Sequence, residues 1–235
     1  MRNDQRVVVV IPALNEEAAI GRVLDDLPAW IDQVVVADNG STDKTAAVAR
    51  AHGADVVHEP QPGYGAACLA GIAHAQRPDI VAFIDGDYSD HGEQMDRVVD
   101  PIARGEADLV IGSRVTGNAQ AGSLTIPQRF GNQLACTLMR WIWGTRFTDL
   151  GPFRAVRATS LEAIGMRDRA YGWTVEMQIK AAEAGLRLHE VPVDYRPRIG
   201  VSKVSGTVKG TVLAGTTILR IIGQSGLRQL TKRRG

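Results

Sequence analysis

Ile80-Val81-Ala82-Phe83-Ile84-Asp85-Gly86-Asp87 decides the fold: a short apolar run ends directly in two carboxylates set two positions apart. Such a run suits a strand buried on both faces of a parallel sheet. Val7–Ile11, Val34–Ala37, Val56–Val57 and Leu109–Ile111 repeat the pattern. Helical patterns alternate with them at Glu16–Leu27, Asp43–His52, Gly65–Ala75 and Glu93–Arg104. This alternation predicts βαβ units with right-handed crossovers, and hence an α/β domain with a mainly parallel sheet flanked by helices.

Beyond Ser113 the rhythm loosens into a Gly/Asn/Gln-rich loop to about Gln128, a helix near Arg129–Trp143 and a mixed segment to Tyr195. At 235 residues and 44% hydrophobic, the chain can bury the core of one large domain. Cys68 and Cys136 lie far apart in helical patterns, which predicts buried reduced thiols rather than a disulfide or a zinc site. The opening MRNDQR lacks the apolar core of a signal peptide, so a cytoplasmic chain is expected.

The net charge of +1 conceals an asymmetry. Residues 195–235 carry nine of the 27 basic residues and no acid, which leaves 18 basic against 26 acidic residues before them, a net of −8. An acidic body with a basic tail points to an anionic partner for the tail. Val204–Ile222 is spaced like an amphipathic helix but is too polar to span a bilayer, although it can lie along one. The expected organisation is an α/β unit over 1–203 and a basic segment over 204–235, peripheral on the anionic inner face of the cytoplasmic membrane or in contact with a second subunit. The tail lacks the interleaved aromatics of a single-strand binder, so no nucleic acid is expected as a partner.

In open parallel sheets ligands bind beyond the carboxyl ends of the strands. Four loops qualify. Pro12 stops the first run and Asn15-Glu16-Glu17 opens a helix, where acids also suit the dipole. In Asp38-Asn39-Gly40-Ser41-Thr42-Asp43-Lys44-Thr45, Gly40 permits a turn and Ser41 or Thr42 can cap the next helix. Asp38 then remains as an acceptor for a nucleobase N–H. Gly63-Tyr64-Gly65 opens a helix with small residues that let a ligand, or simply a turn, approach the backbone. Asp85 and Asp87 repel each other unless a cation sits between them, and Mg²⁺ or Mn²⁺ bound to a diphosphate supplies one.

Taken together, IPALNEE (11–17), DNGSTDKT (38–45), GYGAA (63–67), DGD (85–87), GSR (112–114), TDLGPFR (148–154) and RIGVSK (198–203) form an ordered set. The set resembles the family 2 glycosyltransferases of the A-type fold, and among them the synthases of polyprenyl- or dolichyl-phosphate sugars. The resemblance implies that Pro12, Asn15, Glu16 and Asp38 line the nucleotide pocket and that Asp85 and Asp87 hold the metal. It places Arg114 and Arg129 near an acceptor phosphate, and Arg198, Ser202 and Lys203 on a closing loop that contacts phosphates. Asn39 stands where many relatives have a second aspartate, Tyr64 where many have lysine, and Ser89 where some have a metal-holding glutamine.

The implied reaction is inverting transfer of a hexose from GDP-mannose or UDP-glucose to polyprenyl phosphate. A phosphate acceptor needs no general base; a soluble hydroxyl acceptor would need one, for which Glu176 and then Asp149 are the candidates. On the phosphate reading Glu176 shapes the site. A nucleotidyltransferase would also use an acidic pair, but with a glycine-rich loop directly after the first strand, where Pro12-Ala13-Leu14-Asn15 stands instead. A non-catalytic nucleotide-sugar binder would have no use for both Asp85–Asp87 and Arg198–Lys203.

Overall fold

The computed structural model describes residues 1–200 and 208–232. Strand β1 (Val7–Ala13) runs through the middle of the sheet, and the side chains of Val7 to Ile11 are wholly buried. Each such aliphatic group contributes roughly 1.5–3 kcal/mol on leaving water. β1 pairs in parallel with β2 (Gln33–Asp38) and β4 (Ile80–Phe83), and β2 with β3 (Asp55–His58). β3 forms one edge, and none of its residues is buried, unlike the two-sided burial expected of every apolar run. On the other side lie β5 (Leu109–Ser113), β6 (Arg154–Arg157) and β7 (Leu188–Pro192). The order is β3-β2-β1-β4-β6-β5-β7. β6 is antiparallel to both neighbours and separates β4 from β5. Neither β6 nor β7 was legible as an apolar run.

Two cores sandwich the sheet. Val7, Val9 and Ile11 face one, with α1 (Ile20–Asp25), α2 (Thr45–Ala51) and α4 (Met95–Ala103). Val10, Val81 and Phe83 face the other, with α3 (Tyr64–His74), α5 (Ile126–Trp143), α6 (Ala158–Ile164) and α7 (Trp173–Glu183). Cys68 and Cys136 are free thiols buried in this second core. The C-terminal helix α8 (Val208–Lys232) docks on α5 and α7, with Ile218, Ile221 and Ile222 turned inward. It runs past the Val204–Ile222 stretch expected from spacing, and among the described residues no helix is long and apolar enough to cross a membrane.

Two helix starts differ from the sequence expectation. α5 begins at Ile126 rather than near Arg129, because Thr125 and Gln128 form a reciprocal capping box and Pro127 follows in the first turn. α1 begins at Ile20 rather than Glu16, because Asn15 adopts φ +54° and the backbone N–H groups of residues 15–17 are taken by side chains of the β2–α2 loop.

Candidate active site

The carboxyl ends of β1, β2, β4 and β5 converge on a cavity of about 1140 Å³ bordered by Pro12, Glu16, Asp85, Asp87, Arg114 and Arg198. α5 supplies a further wall with Arg129 and Arg140, and α8 supplies Ala214, Gly215 and Ile218.

The first two loops bind each other. The amides of Asn15, Glu16 and Glu17 donate to Ser41 Oγ (2.9 Å), Thr45 Oγ1 (2.7 Å) and Asp43 Oδ2 (3.2 Å). In return Thr42 N donates to Asn15 Oδ1 and Lys44 N to Glu17 Oε2. Ser41 and Thr42 therefore do not cap α2, whose N-cap position is Lys44; Asp43 accepts from the amide of its first residue, Thr45, at 2.9 Å. Asp38 is also engaged: Oδ1 accepts from Ser41 N at 3.1 Å, and Oδ2 lies 3.3 Å from His58 Nδ1. Asp38 thus closes its own turn, and neither it nor Asn15 borders the cavity. Asn39 does border it, and binds Glu59 O and Gln61 O through its amide while accepting from Gly63 N at 2.8 Å.

The glycine loop meets the chain itself. A Cβ at Gly63 would stand 2.0 Å from Arg169 O, and one at Gly65 2.1 Å from Asp168 O. Gly65 N and Ala66 N donate to Ala170 O and Arg169 O, satisfying the start of α3. The close approach read from these glycines is therefore made by the 168–170 segment, although Gly63 also borders the cavity. Between them, Tyr64 sends its hydroxyl to Asp85 Oδ1 at 3.0 Å.

Asp85, Asp87 and Asp90 crowd the tip of β4. Burial, then the charge of Asp87, pushes the Asp85 carboxyl up to about 7. Asp90 is raised well above the carboxylate range by burial and then by Asp85 and Asp87, and its buried Oδ1 has no hydrogen-bond partner among the described residues. Asp87 is 3% exposed. Its Oδ1 accepts from the amide and hydroxyl of Ser89, and its Oδ2 pairs with Arg198. Ile199 N donates to Asp87 O and Arg196 N to Ser89 O, stitching the strand-tip turn to the 195–199 segment. Arg196 also stacks over the Tyr88 ring, at 3.3 Å from its centroid.

Arg114 borders the cavity with its guanidinium clamped by Asp149, at 2.8 Å from Nε to Oδ2 and 2.7 Å from NH2 to Oδ1. Burial opposes its charge, and the Asp149 carboxylate more than restores it, so Arg114 is held above its ordinary range. Glu190 supports this clamp by accepting from Thr148 N, Thr148 Oγ1 and Asp149 N. Below the site Arg154 is wholly buried in the sheet and donates to the carbonyls of Leu150, Gly151 and Thr174. Burial lowers its pKa to about 10, which leaves it cationic at neutral pH.

Arg129 is an exposed residue on the cavity wall. Glu176 is placed elsewhere: it does not border the cavity, and it accepts from Arg167 N and Asp168 N while pairing with Lys180. Its carboxylate shapes the 167–168 turn. Ser202 and Lys203 lie outside the described residues. Asn39, Tyr64, Asp90, Arg140 and Arg154 were not assigned from sequence. Asn39 and Tyr64 carried a signal, standing where many relatives have aspartate and lysine, and Arg154 ends the TDLGPFR motif.

A sheet of this topology, with paired acids and arginines around a cavity at its strand tips, is that of a glycosyltransferase with the A-type fold. The family model described as glycosyl transferase family 2 matches residues 8–165, and the chain belongs to that family. An uncharacterised glycosyltransferase of Mycobacterium tuberculosis is 40% identical over 92% of this chain and 97% of its own length. A dolichyl-phosphate hexose transferase of Haloferax volcanii is 33% identical, covering 94% and 96%. An undecaprenyl-phosphate mannosyltransferase of Micrococcus luteus is 30% identical, covering 90% and 93%. Among solved structures, glucosyl-3-phosphoglycerate synthase of M. tuberculosis, in complex with Mn²⁺, UDP and glucosyl-3-phosphoglycerate, superposes with a TM-score of 0.78 at 24% identity. That match covers 95% of this chain and 81% of the synthase.

Proposed function

We propose that the chain transfers a hexose, with inversion, from a nucleotide diphosphate sugar to a polyprenyl phosphate. One observation carries the reading: the cavity joins strand-tip carboxylates to four arginines (114, 129, 140 and 198), while its remaining acid of the 148–154 segment, Asp149, is already neutralised by Arg114. A site rich in guanidinium groups whose best-placed carboxylate is committed to an ion pair suits an anionic acceptor that needs no base. Two relatives at 30% identity or more are named for transfer to dolichyl or undecaprenyl phosphate.

The donor side fits a divalent ion. Asp87 lies close enough to Asp85 to oppose its ionisation, and the buried Asp90 Oδ1 lacks a partner among the described residues. Among the described residues no three His, Cys, Asp or Glu groups gather into a complete ligand set, so oxygens of the donor diphosphate would complete the shell. When bound, Mg²⁺ or Mn²⁺ would offset the charge that builds on the departing diphosphate. Asp85 and Asp87 would hold it, with Tyr64 and Ser89 fixing one oxygen of each. Arg114, clamped by Asp149, and Arg129 would orient the acceptor phosphate. Its oxygen attacks the anomeric carbon from the face opposite the leaving group. The new C–O bond forms as the old one breaks, and the electron pair leaves on the diphosphate. Arg198, with Ser202 and Lys203, would close over that charge; Pro12 and Glu16 would border the nucleotide. The unit over 1–203 would carry the chemistry, and 204–235 would lie at an anionic cytoplasmic membrane surface.

The test is radiolabelled transfer from GDP-mannose and UDP-glucose, with Mn²⁺, to polyprenyl phosphate and to 3-phosphoglycerate. The second acceptor is included because the solved synthase acts on a soluble molecule. Label entering only the water-soluble product rejects the lipid acceptor.

A further inference from the structure

We infer that the outward stripe of α5, formed by Ile126, Phe130 and Trp141, seats the protein on an anionic bilayer so that the cavity opens at the lipid surface. The inference rests on the polyprenyl phosphate reading and adds a surface that the basic tail alone does not provide. Ile126, Phe130 and Trp141 are 83%, 67% and 76% exposed, a cost that a helix facing only water has no reason to bear. At about 100° per residue the three side chains project within about 60° of one another. Arg129 and Arg140 fall together along one border of this stripe, and both also border the cavity.

The docked helix α8 extends the surface. Val212, Leu219, Leu227 and Leu230 are exposed on its outer side, with Arg220 and Arg228 exposed beside them. Neither helix contains an acidic residue. Apolar stripes bordered by arginine and free of acids complement anionic headgroups, with the aromatic and aliphatic groups entering the acyl boundary. A second copy docked through the same stripes would bring like cations together across its two-fold axis. The cavity wall runs along α5 through Arg129, Gln133, Thr137 and Arg140, and along α8 through Ala214, Gly215 and Ile218. An acceptor phosphate can therefore enter sideways between the two helices while its hydrocarbon chain remains in lipid.

The experiment uses the full chain and vesicles of phosphatidylcholine, alone or mixed with phosphatidylglycerol, with no substrate present. The wild type should co-sediment with the anionic vesicles and be released by high salt. The combined variant Ile126→Ser, Phe130→Ser, Trp141→Ser, whose altered side chains are exposed, should keep its Tm and lose vesicle affinity by about tenfold or more. Its transfer to a short, water-soluble polyprenyl phosphate should match wild type, while transfer to the long-chain acceptor in vesicles should fall. Equal vesicle binding by wild type and variant overturns the inference. So does a dimer that the variant abolishes when neither protein binds vesicles, since the stripe then belongs to a second copy. If the vesicle results are as expected but no polyprenyl phosphate is glycosylated, the surface stands and the acceptor assignment falls.

Discussion

Asp149 grips Arg114 by three hydrogen bonds, two to the guanidinium and one to the Arg114 amide at 2.9 Å. The carboxylate is 1% exposed and the arginine 14%, and Asp149 offsets the burial that opposes the Arg114 charge. Asp149→Ala strands a cation at the cavity wall. It should cost about 3 kcal/mol of stability, at the low end for breaking a buried pair from one side. Activity should fall as far as in Arg114→Ala, and the double variant should be no worse than either single one. Additive losses in kcat/KM would show that Asp149 acts on substrate by itself.

Asp87→Ala should lower transfer by at least about a hundredfold if the strand-tip acids hold the ion. The same change relieves repulsion in a group of three crowded acids while stranding Arg198, so Tm should move only a few degrees. Turnover near wild type, in the variant or in excess chelator, would remove the metal from the reaction.

Arg198 pairs with Asp87 across the cavity rim. Arg198→Ala should reduce kcat more than it weakens donor binding, because the guanidinium acts on charge that develops during transfer. Steady-state kinetics with and without saturating donor measures this, and a change confined to KM would reduce the residue to a substrate anchor.

Gly65→Ala tests whether the glycine loop serves the ligand or the fold. The added methyl group meets Asp168 O at 2.1 Å, and backbone on both sides leaves little room to yield. A loss of about 1–3 kcal/mol in urea unfolding is expected, as for an overpacked core. Unchanged stability with lost donor binding would return the glycine to the ligand.

Asp108 carries the acid dependence. Its hydrogen bond from Arg187, helped by Arg157, holds the carboxyl at about 2. A depressed folded-state value gives stability that is complete above the unfolded value of about 3.9 and lost as pH falls toward 2. Asp108→Asn should therefore be less stable than wild type at pH 6, and the difference in Tm should shrink between pH 4 and pH 2. A constant difference would mean that the carboxylate charge plays no part.

The four apolar strands β1, β2, β4 and β5 were legible because two-sided burial demands unbroken hydrophobic runs, and the same runs located Asp85 and Asp87 at a strand tip. β6 was not legible, since Arg154-Ala155-Val156-Arg157 places at its first position a cation that ordinarily marks the surface. The carbonyls of Leu150 and Gly151, in the turn just before it, and of Thr174 from α7 make that burial tolerable. Asn15, Asp38 and Gly65 show a related effect, since the contacts they make within the chain were not legible either. Each has a chemistry that suits a ligand, and each also engages the chain itself: Asn15 and Gly65 meet another loop, and Asp38 meets its own turn. Local spacing reveals what a side chain can offer but not which partner reaches it first.

β6 lies between β4 and β5 in space but follows both in the chain. A chain emerging from the ribosome therefore completes β4 and β5 long before the strand that joins them exists. Until Arg154–Arg157 appears, two apolar strands display unpaired edges, each a template for pairing with the wrong neighbour. Slowing synthesis before Arg154–Arg157 has left the ribosome should lengthen that exposure and favour aggregation, whereas a pause once that strand has emerged should not. The single antiparallel strand thus fixes when in its own synthesis this enzyme most needs a chaperone.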